Sequence, residues 1–496
     1  MLEFFDFPPG VVNTSSPSRN TGSWRETNLV RWEESNMRPV GGWEKLDLSG
    51  FASTLRKMHQ WLDNDGVERT AYLCEEHLYV EEDGALVDIT PSSGITAPPD
   101  DQGGYGDHTF GYGEYGTARP GQNRLRTYSP IYTLGNWGEE LRAMTSNDGR
   151  LLGWAPGDSE AAAVSNAPTG NRSFSITSER FIILYGAGGA PEKYQWCDQE
   201  DDTNWTVGTT SKAGSRRIEP TSPIVAHITS GDLNVIMTLQ GFYVSRYIGL
   251  PYIFDLEEVS AAAVPLSPPM IASEPEGVVW MTSTGFARFD GVSVNSLDCP
   301  IWDWVSKNLH IRRTIFVGNC VKLHAKSEIW FLFASTADGL PDRVAIYNYS
   351  DKIWSMGIIN RICGISPPNK NNPIMSDGTN VYRHEHGFDV YADYDMLPWA
   401  ETFPINENSG AKLSTLYQLF PEVSGDADAV EFVVIHSDSR SRNREEIEAG
   451  PFPIRDNGYV DVRVKNRDKR IRVQPSRGGD WSIGQIGVDL RGGGTK

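Results

Sequence analysis

Cysteine is scarce in this sequence and scattered through it: Cys74, Cys197, Cys299, Cys320 and Cys363 are the five in 496 residues, with no CxxC pair. An odd, unclustered set reads as reduced thiols, which excludes a disulfide framework and a cysteine zinc site. Long apolar runs are missing too, and none approaches the ~20 residues that a membrane-spanning helix needs. The opening MLEFFDFPPG has no basic start, no long apolar stretch and no small-residue cleavage site. No secretory signal is therefore expected, and synthesis in a reducing cytoplasm is. Positive charge is in deficit: Lys+Arg 45 against Asp+Glu 65 gives a formal net charge of −20. Affinity for a polyanion comes mostly from Lys and Arg, so a surface that grips nucleic acid is excluded. A protein that lets DNA pass without holding it is not.

Helical periodicity is also rare. The chain is too long for one core of ~100–200 residues, so several domains or one large repetitive architecture must account for it. What fills it is short runs of alternating aromatic or β-branched and polar residues, separated by Gly, Asp, Asn and Pro. Thr70–Val80, Arg180–Tyr185, Leu233–Leu239, Gly241–Ser245, Gly277–Thr282, Glu328–Phe333 and Val344–Tyr349 are examples. Turn chemistry joins many of them: Glu82-Asp83-Gly84, Ser146-Asn147-Asp148-Gly149 and Ser283-Thr284-Gly285 supply the positive-φ positions of hairpins.

Paired segments recur near residues 70–90, 140–155, 180–207, 233–248, 278–295, 328–356 and 375–391. The later steps match the spacing of four-stranded propeller blades. The expected fold is all-β: a β-propeller of six or seven blades with an added C-terminal β-platform domain. One helix is expected over Ile301–Leu309, where Ile301, Val305 and Leu309 share a face behind Pro300. Tryptophans near strand ends (Trp154, Trp196, Trp280, Trp330, Trp354) are expected to wedge between neighbouring blades.

The expected organisation is residues 1–45 as an N-terminal arm with the first strands, 46–397 as the propeller and 398–496 as a C-terminal β domain. Two regions stand apart. From Gly94 to Gly121 there are eight glycines, with Tyr105, Tyr112, Tyr115 and Arg119 among them. A long glycine-rich loop inside a compact chain suits a segment that orders on contact with a neighbour or a lumen. The second region runs from Asp438 to Lys496, with 13 Lys/Arg against 9 Asp/Glu. Its strands alternate basic and apolar side chains, and Arg463, Lys465, Arg470 and Arg472 make a candidate basic contact face.

Catalytic and metal chemistry finds no pattern. His384-Glu385-His386, with Asp389, Asp393 and Asp395 nearby, is the one cluster of ligand-type residues. It lacks a third placed ligand, and His386-Gly387 reads as a turn. Asp63-Asn64-Asp65-Gly66 lacks the closing Glu of a calcium loop and is a turn as well. No GxSxG, HExxH or GK[ST] motif occurs. Paired carboxylates are abundant in any acidic chain and so point to no glycosidase site. No enzyme activity, cofactor or metal is expected.

Several stretches carry a family resemblance. They are Gly10-Val11-Val12, then Trp24 through Trp32 (WRETNLVRW), and Met37 through Trp43 (MRPVGGW). To these add the glycine–tyrosine loop, Leu134–Leu141 (LGNWGEEL), Phe242–Pro251 (FYVSRYIGLP), Arg470–Val473 and Gly479–Leu490. In this order they resemble the tail nozzle proteins of short-tailed bacteriophages, also called packed-DNA stabilisation proteins or tail tubular protein B. The resemblance implies a structural virion protein: a six-membered homo-oligomeric ring, each subunit a propeller with a β platform. Such a ring sits beneath the portal or tail adaptor and beside fibre or needle proteins. It continues the DNA channel, retains packaged DNA, and lets it pass at ejection without sequence specificity. The alternative from a different class is a carbohydrate-binding or carbohydrate-cleaving propeller, a phage adhesin or glycosidase.

Overall fold

In the computed structural model, the described residues are 2–5, 7–13, 22–48, 50–82, 84–98, 129–261, 264–367, 370–388, 397–405, 413–437 and 445–492. The chain is all-β, and its middle part forms a seven-bladed β-propeller with a β-sandwich beside it. Blades 1 to 7 begin with inner strands Leu55–Leu62, Tyr132–Trp137, Ser173–Ile176, Ile224–Ser230, Ile271–Glu274, Asn319–Leu323 and Cys363–Ile365. Each blade is an antiparallel meander, and the inner strand of blade 7 lies beside that of blade 1, so the ring closes. The seven recurring segments of the sequence are the seven blades. Thr70–Val80, expected as one run, is instead a hairpin of Glu68–Cys74 and Leu78–Glu82.

Closure uses a strand from far away in the chain. Blade 7 takes three strands from residues 363–384 and its outermost from Trp43–Lys45, paired Tyr382↔Lys45, Arg383↔Glu44 and His384↔Trp43. Closing a ring of sheets by joining its two chain ends removes an exposed edge and fixes the blade number.

The sandwich is also built from both ends. One sheet holds Val30–Glu33, Asn36–Pro39, Trp481–Gly492, Ser414–Gly425 and Val460–Asn466, with Leu2–Phe5 paired to Trp481–Gly492. The other holds Trp24–Asn28, Trp399–Thr402, Asp468–Pro475, Val430–Ser437 and Ile447–Pro453. Residues 1–45 are thus divided between the sandwich and blade 7, and the propeller is an insertion within the sandwich.

Between Trp24–Asn28 and Val30–Glu33 the chain changes sheet at Leu29, which has φ +49°. A non-glycine residue in that region is strained and persists only where surroundings hold it. Here the Leu29 side chain is buried with Val321, Trp330 and Tyr382 of blades 6 and 7, and its N–H donates to the Met356 carbonyl. Sandwich and propeller therefore share core as well as a boundary.

The inter-blade tryptophans behave as wedges. Trp280 is fully buried and stacks on Phe242 of blade 4, centroids 5.5 Å apart. Trp154, Trp196, Trp330 and Trp354 are buried too. The expected helix spans Trp302–Asn308 (α1), and a second, not anticipated, spans Ile311–Val317 (α2) with the His310 ring accepting from the Arg313 N–H.

Tight turns between blade strands depend on glycine where a side chain has no room. Gly277 opens the second strand of blade 5 at φ +144°, and a Cβ there would lie 1.8 Å from the Phe289 carbonyl oxygen. Gly277→Ala is expected to destabilise the chain by more than about 1 kcal/mol. A lowered thermal unfolding midpoint checks it.

Candidate interaction surface

Blade 4 departs from the regular meander. Its third strand, Gly241–Gly249, pairs in its first half with Glu257–Ala261 and in its second with Ile253–Phe254. The second half thus becomes a hairpin that projects from the blade, turning through Gly249-Leu250-Pro251-Tyr252 with Gly249 at φ +75° and Ile253 at φ +61°. Its base is anchored. Phe254 packs on Phe181 and Trp196 of blade 3 at 5.3 Å for each ring pair, and on Tyr247 across the hairpin at 5.9 Å. The Asp255 N–H donates to the Arg246 carbonyl, and the Asp255 carboxylate accepts from the Arg246 N–H.

Above that anchor the hairpin is apolar and uncovered. Ile248 is 52 % exposed, Leu250 73 % and Tyr252 74 %, while Val207, on the facing loop of blade 3, is 65 % exposed. The groove between them has a volume of about 890 Å³ and a rim carrying Lys212 and Arg216. Turns are ordinarily polar, so three large apolar groups at this one, facing Val207 across the groove, make an exposed apolar patch. The signal was in the sequence: Tyr-Ile-Gly-Leu-Pro-Tyr-Ile has a turn's glycine and proline and no polar side chain except the tyrosine hydroxyls.

The glycine–tyrosine loop residues Tyr105, Tyr112, Tyr115 and Arg119 lie outside the described residues. The four basic residues of the C-terminal domain do not form one face. Arg463 and Lys465 project to solvent from Val460–Asn466 of one sheet, whereas Arg470 and Arg472 lie on Asp468–Pro475 of the other. Arg470 is buried, donating to Glu401 at 2.7 Å and pairing with Glu446. Arg472 pairs with Glu401 at 3.2 Å and Glu448 at 3.0 Å. Alternation predicts which side chains share a side of a strand, but a neighbouring strand brings the acids that neutralise two of these four.

His384 and His386 do not converge on an ion site. His384 is buried, and its Nε2 accepts from Arg361 Nε at 2.9 Å. Burial, with Arg361 and Arg31 adding to it, holds its pKa well below the usual imidazole value. His386 is more than half exposed and lies 3.7 Å from Glu44. Among the described residues no group of three or more metal-ligating side chains comes together.

Between them Glu385 belongs to a different device. Arg31, on Val30–Glu33 of the sandwich, donates to both oxygens of Glu328 of blade 6 at 2.9 and 3.0 Å. It also donates to both oxygens of Glu385 at 2.7 Å each. Trp330 Nε1 donates to Glu328 at 2.9 Å. Nearby, Arg38 pairs with Glu33 at 2.6 Å and Asp480 at 2.7 Å, and Lys326 with Glu33 at 2.7 Å. Arg31, Glu33, Arg38, Lys326, Glu328 and Asp480 line a cleft of about 670 Å³ between sandwich and propeller. The pairs Arg31–Glu328 and Lys326–Glu33 cross from sandwich to propeller, which makes the cleft a bracing joint between the two units.

No protein-family model and no curated protein matches the chain. Among solved structures, the β-propeller domain of Cps50 (Swd1) from Myceliophteria thermophila is 6 % identical, covering 69 % of this chain and 99 % of that one, with a TM-score of 0.41. A catalytically inactive virginiamycin B lyase from Staphylococcus aureus with quinupristin is 7 % identical, covering 70 % of this chain and 94 % of that one, with a TM-score of 0.34. The class of the protein, a seven-bladed propeller inserted in a β-sandwich, rests on its own sheet order. No helix among the described residues is long and apolar enough to cross a membrane.

Proposed function

We propose that this chain is a structural, ring-forming subunit of a short-tailed phage tail nozzle, resident in the virion, which continues the DNA channel below an adaptor or portal ring. The observation that carries the reading is the anchored apolar hairpin at Gly249–Tyr252. A rigid closed propeller that presents Ile248, Leu250 and Tyr252 to solvent is suited to seat them against a second copy. The sequence resemblance, which includes this same hairpin, supplies the biological setting. DNA would be passed rather than gripped, in keeping with the net charge of −20.

Trp154, Trp196, Trp280, Trp330 and Trp354 are all buried, which favours packing between blades as their role.

Light scattering should give a mass that is a multiple of the 55.1 kDa subunit, with rings in negative-stain images. The double change Leu250→Asp and Tyr252→Asp should reduce that mass to one subunit while leaving the unfolding midpoint unchanged. Burial of each apolar side chain contributes about 1.5–3 kcal/mol, so association should weaken about a hundredfold or more. A chain that is monomeric throughout and hydrolyses a glycan would overturn the proposal.

A further inference from the structure

The turn that joins the first two strands of blade 1, Asp63-Asn64-Asp65-Gly66, is tied together from within. The Asp63 carboxylate accepts from the Val67 N–H at 2.7 Å and from Arg69 Nε at 3.1 Å. The Gly66 N–H donates to the Asp63 carbonyl at 3.0 Å, and the Asn64 N–H donates to the Glu139 carboxylate of blade 2 at 3.1 Å. What this tip presents to solvent is apolar: Leu62 is 55 % exposed and Val67 49 %. Leu62 pairs with Glu68 across the hairpin, so alternation sets Leu62 and Val67 on opposite faces of the tip.

The tip is also acidic. Asp63 is paired with Arg69 and Glu68 with Lys370, which leaves Asp65 and Glu139 without a cation among the described residues. The groove beside the blade 4 hairpin is the counterpart. One wall is Ile248, Leu250 and Tyr252, and the other is the loop of Val207. Lys212 and Arg216 on its rim have no carboxylate partner among the described residues. An apolar groove with two walls and a basic rim matches an apolar knob with two faces and two unpaired acids.

Both features lie at one end of the propeller. In a four-stranded meander the first and third turns leave the sheet at the same end, and the knob is the first turn of blade 1. The Val207 loop runs from the third to the fourth strand of blade 3, and the hairpin extends the third strand of blade 4. Blades 2 and 3 stand between blade 1 and the hairpin, so within one closed propeller the knob cannot reach the groove. The knob that fits the groove is therefore that of a second copy.

We propose that the groove between the blade 4 hairpin and the Val207 loop receives the blade 1 turn of a second copy. Leu62 meets one wall and Val67 the other, while Asp65 and Glu139 face Lys212 and Arg216. The proposal rests on the ring-forming reading above and supplies the counterpart of the hairpin. Because the two patches differ and sit apart on one subunit, a pair of copies still has one free groove and one free knob. The contact then repeats head to tail until a ring closes.

The test uses two full-length variants and light scattering. Leu62→Asp with Val67→Asp spoils the knob and keeps the groove; Leu250→Asp with Tyr252→Asp spoils the groove and keeps the knob. Each alone should be a single subunit with the native unfolding midpoint. Mixed in equal amounts, they should form a complex of twice the 55.1 kDa subunit and nothing larger, because one sound contact forms and both outer ends are spoiled. Asp65→Lys in the otherwise native chain should weaken association about two- to fivefold, and Arg216→Glu in the same chain should restore it. If the hairpin variant is monomeric but the knob variant assembles as the native chain does, this pairing is overturned while the ring-forming reading stands. A mixture that stays monomeric overturns the pairing too, and a native chain that is monomeric throughout overturns both. If Leu62→Asp with Val67→Asp does not fold, Asp65→Lys and its restoration by Arg216→Glu decide.

Discussion

Deleting residues 1–45 should leave a chain that does not fold, although every residue of blades 1 to 6 remains. The deletion removes Trp43–Lys45, the outer strand of blade 7, and bares the edge of Val381–His384. It also strips Trp24–Asn28 from one sandwich sheet and Val30–Glu33 and Asn36–Pro39 from the other. Trp24, Trp32 and Trp43 are each no more than 4 % exposed. Loss of a buried tryptophan costs about 3–5 kcal/mol. Three together match or exceed the about 5–15 kcal/mol that holds a typical protein folded. The truncated chain should lose its cooperative unfolding transition and its near-ultraviolet circular dichroism, and aggregate through the bared edge. Supplying residues 1–45 as a separate peptide during refolding should restore part of the soluble fraction. A truncated chain with the native transition would refute the closure argument.

That dependence on a distant segment also marks where the sequence could be read and where it could not. Blades are local objects: each is a meander whose strands follow one another across Asp-Gly or Asn-Asp-Gly turns. The seven segments, and the helix behind Pro300, were therefore visible as periodicity. Non-local pairing leaves no such trace. Nothing within Trp43–Lys45 says that its partner is Tyr382–His384, and nothing in Arg470-Ile471-Arg472 says that Glu401 lies between the two guanidiniums. Helix α2 was hidden by its own composition, since Ile311, Thr314, Ile315 and Val317 are β-branched and favour strands. Tertiary packing overrides that preference, burying Thr314 and Val317.

Arg31→Met is expected to destabilise the chain by about 3–5 kcal/mol at neutral pH, the usual consequence of removing one partner from a buried ion cluster. Arg31 is 4 % exposed, Glu328 3 % and Glu385 10 %, so neither carboxylate can turn to water when the guanidinium is gone. The pH dependence follows from the two carboxylates. In the native chain burial dominates Glu328 and raises its pKa in spite of Arg31. For Glu385 burial is again the largest influence, but the charge and hydrogen bonds of Arg31 outweigh it and lower the pKa. Native Glu385 thus contributes stability that is present above the ordinary carboxylate pKa of about 4.3 and lost as pH falls through its lower folded value. Native Glu328 contributes in the opposite sense, stabilising below that ordinary value and losing the contribution as pH rises through its raised one. Without Arg31 only burial acts strongly, and both folded pKa values stand above those of the unfolded chain. The variant then binds more protons folded than unfolded, and its stability falls as pH rises from about 4 towards 7. Denaturant midpoints of native chain and variant should therefore lie far apart at neutral pH and draw together near about pH 5. Adding Glu328→Gln and Glu385→Gln to Arg31→Met should recover most of the loss, because the amides need no counter-ion and a glutamine oxygen can still accept from Trp330 Nε1. A gap between native chain and variant that is constant from about pH 5 to 7 would show that Arg31 acts by packing alone.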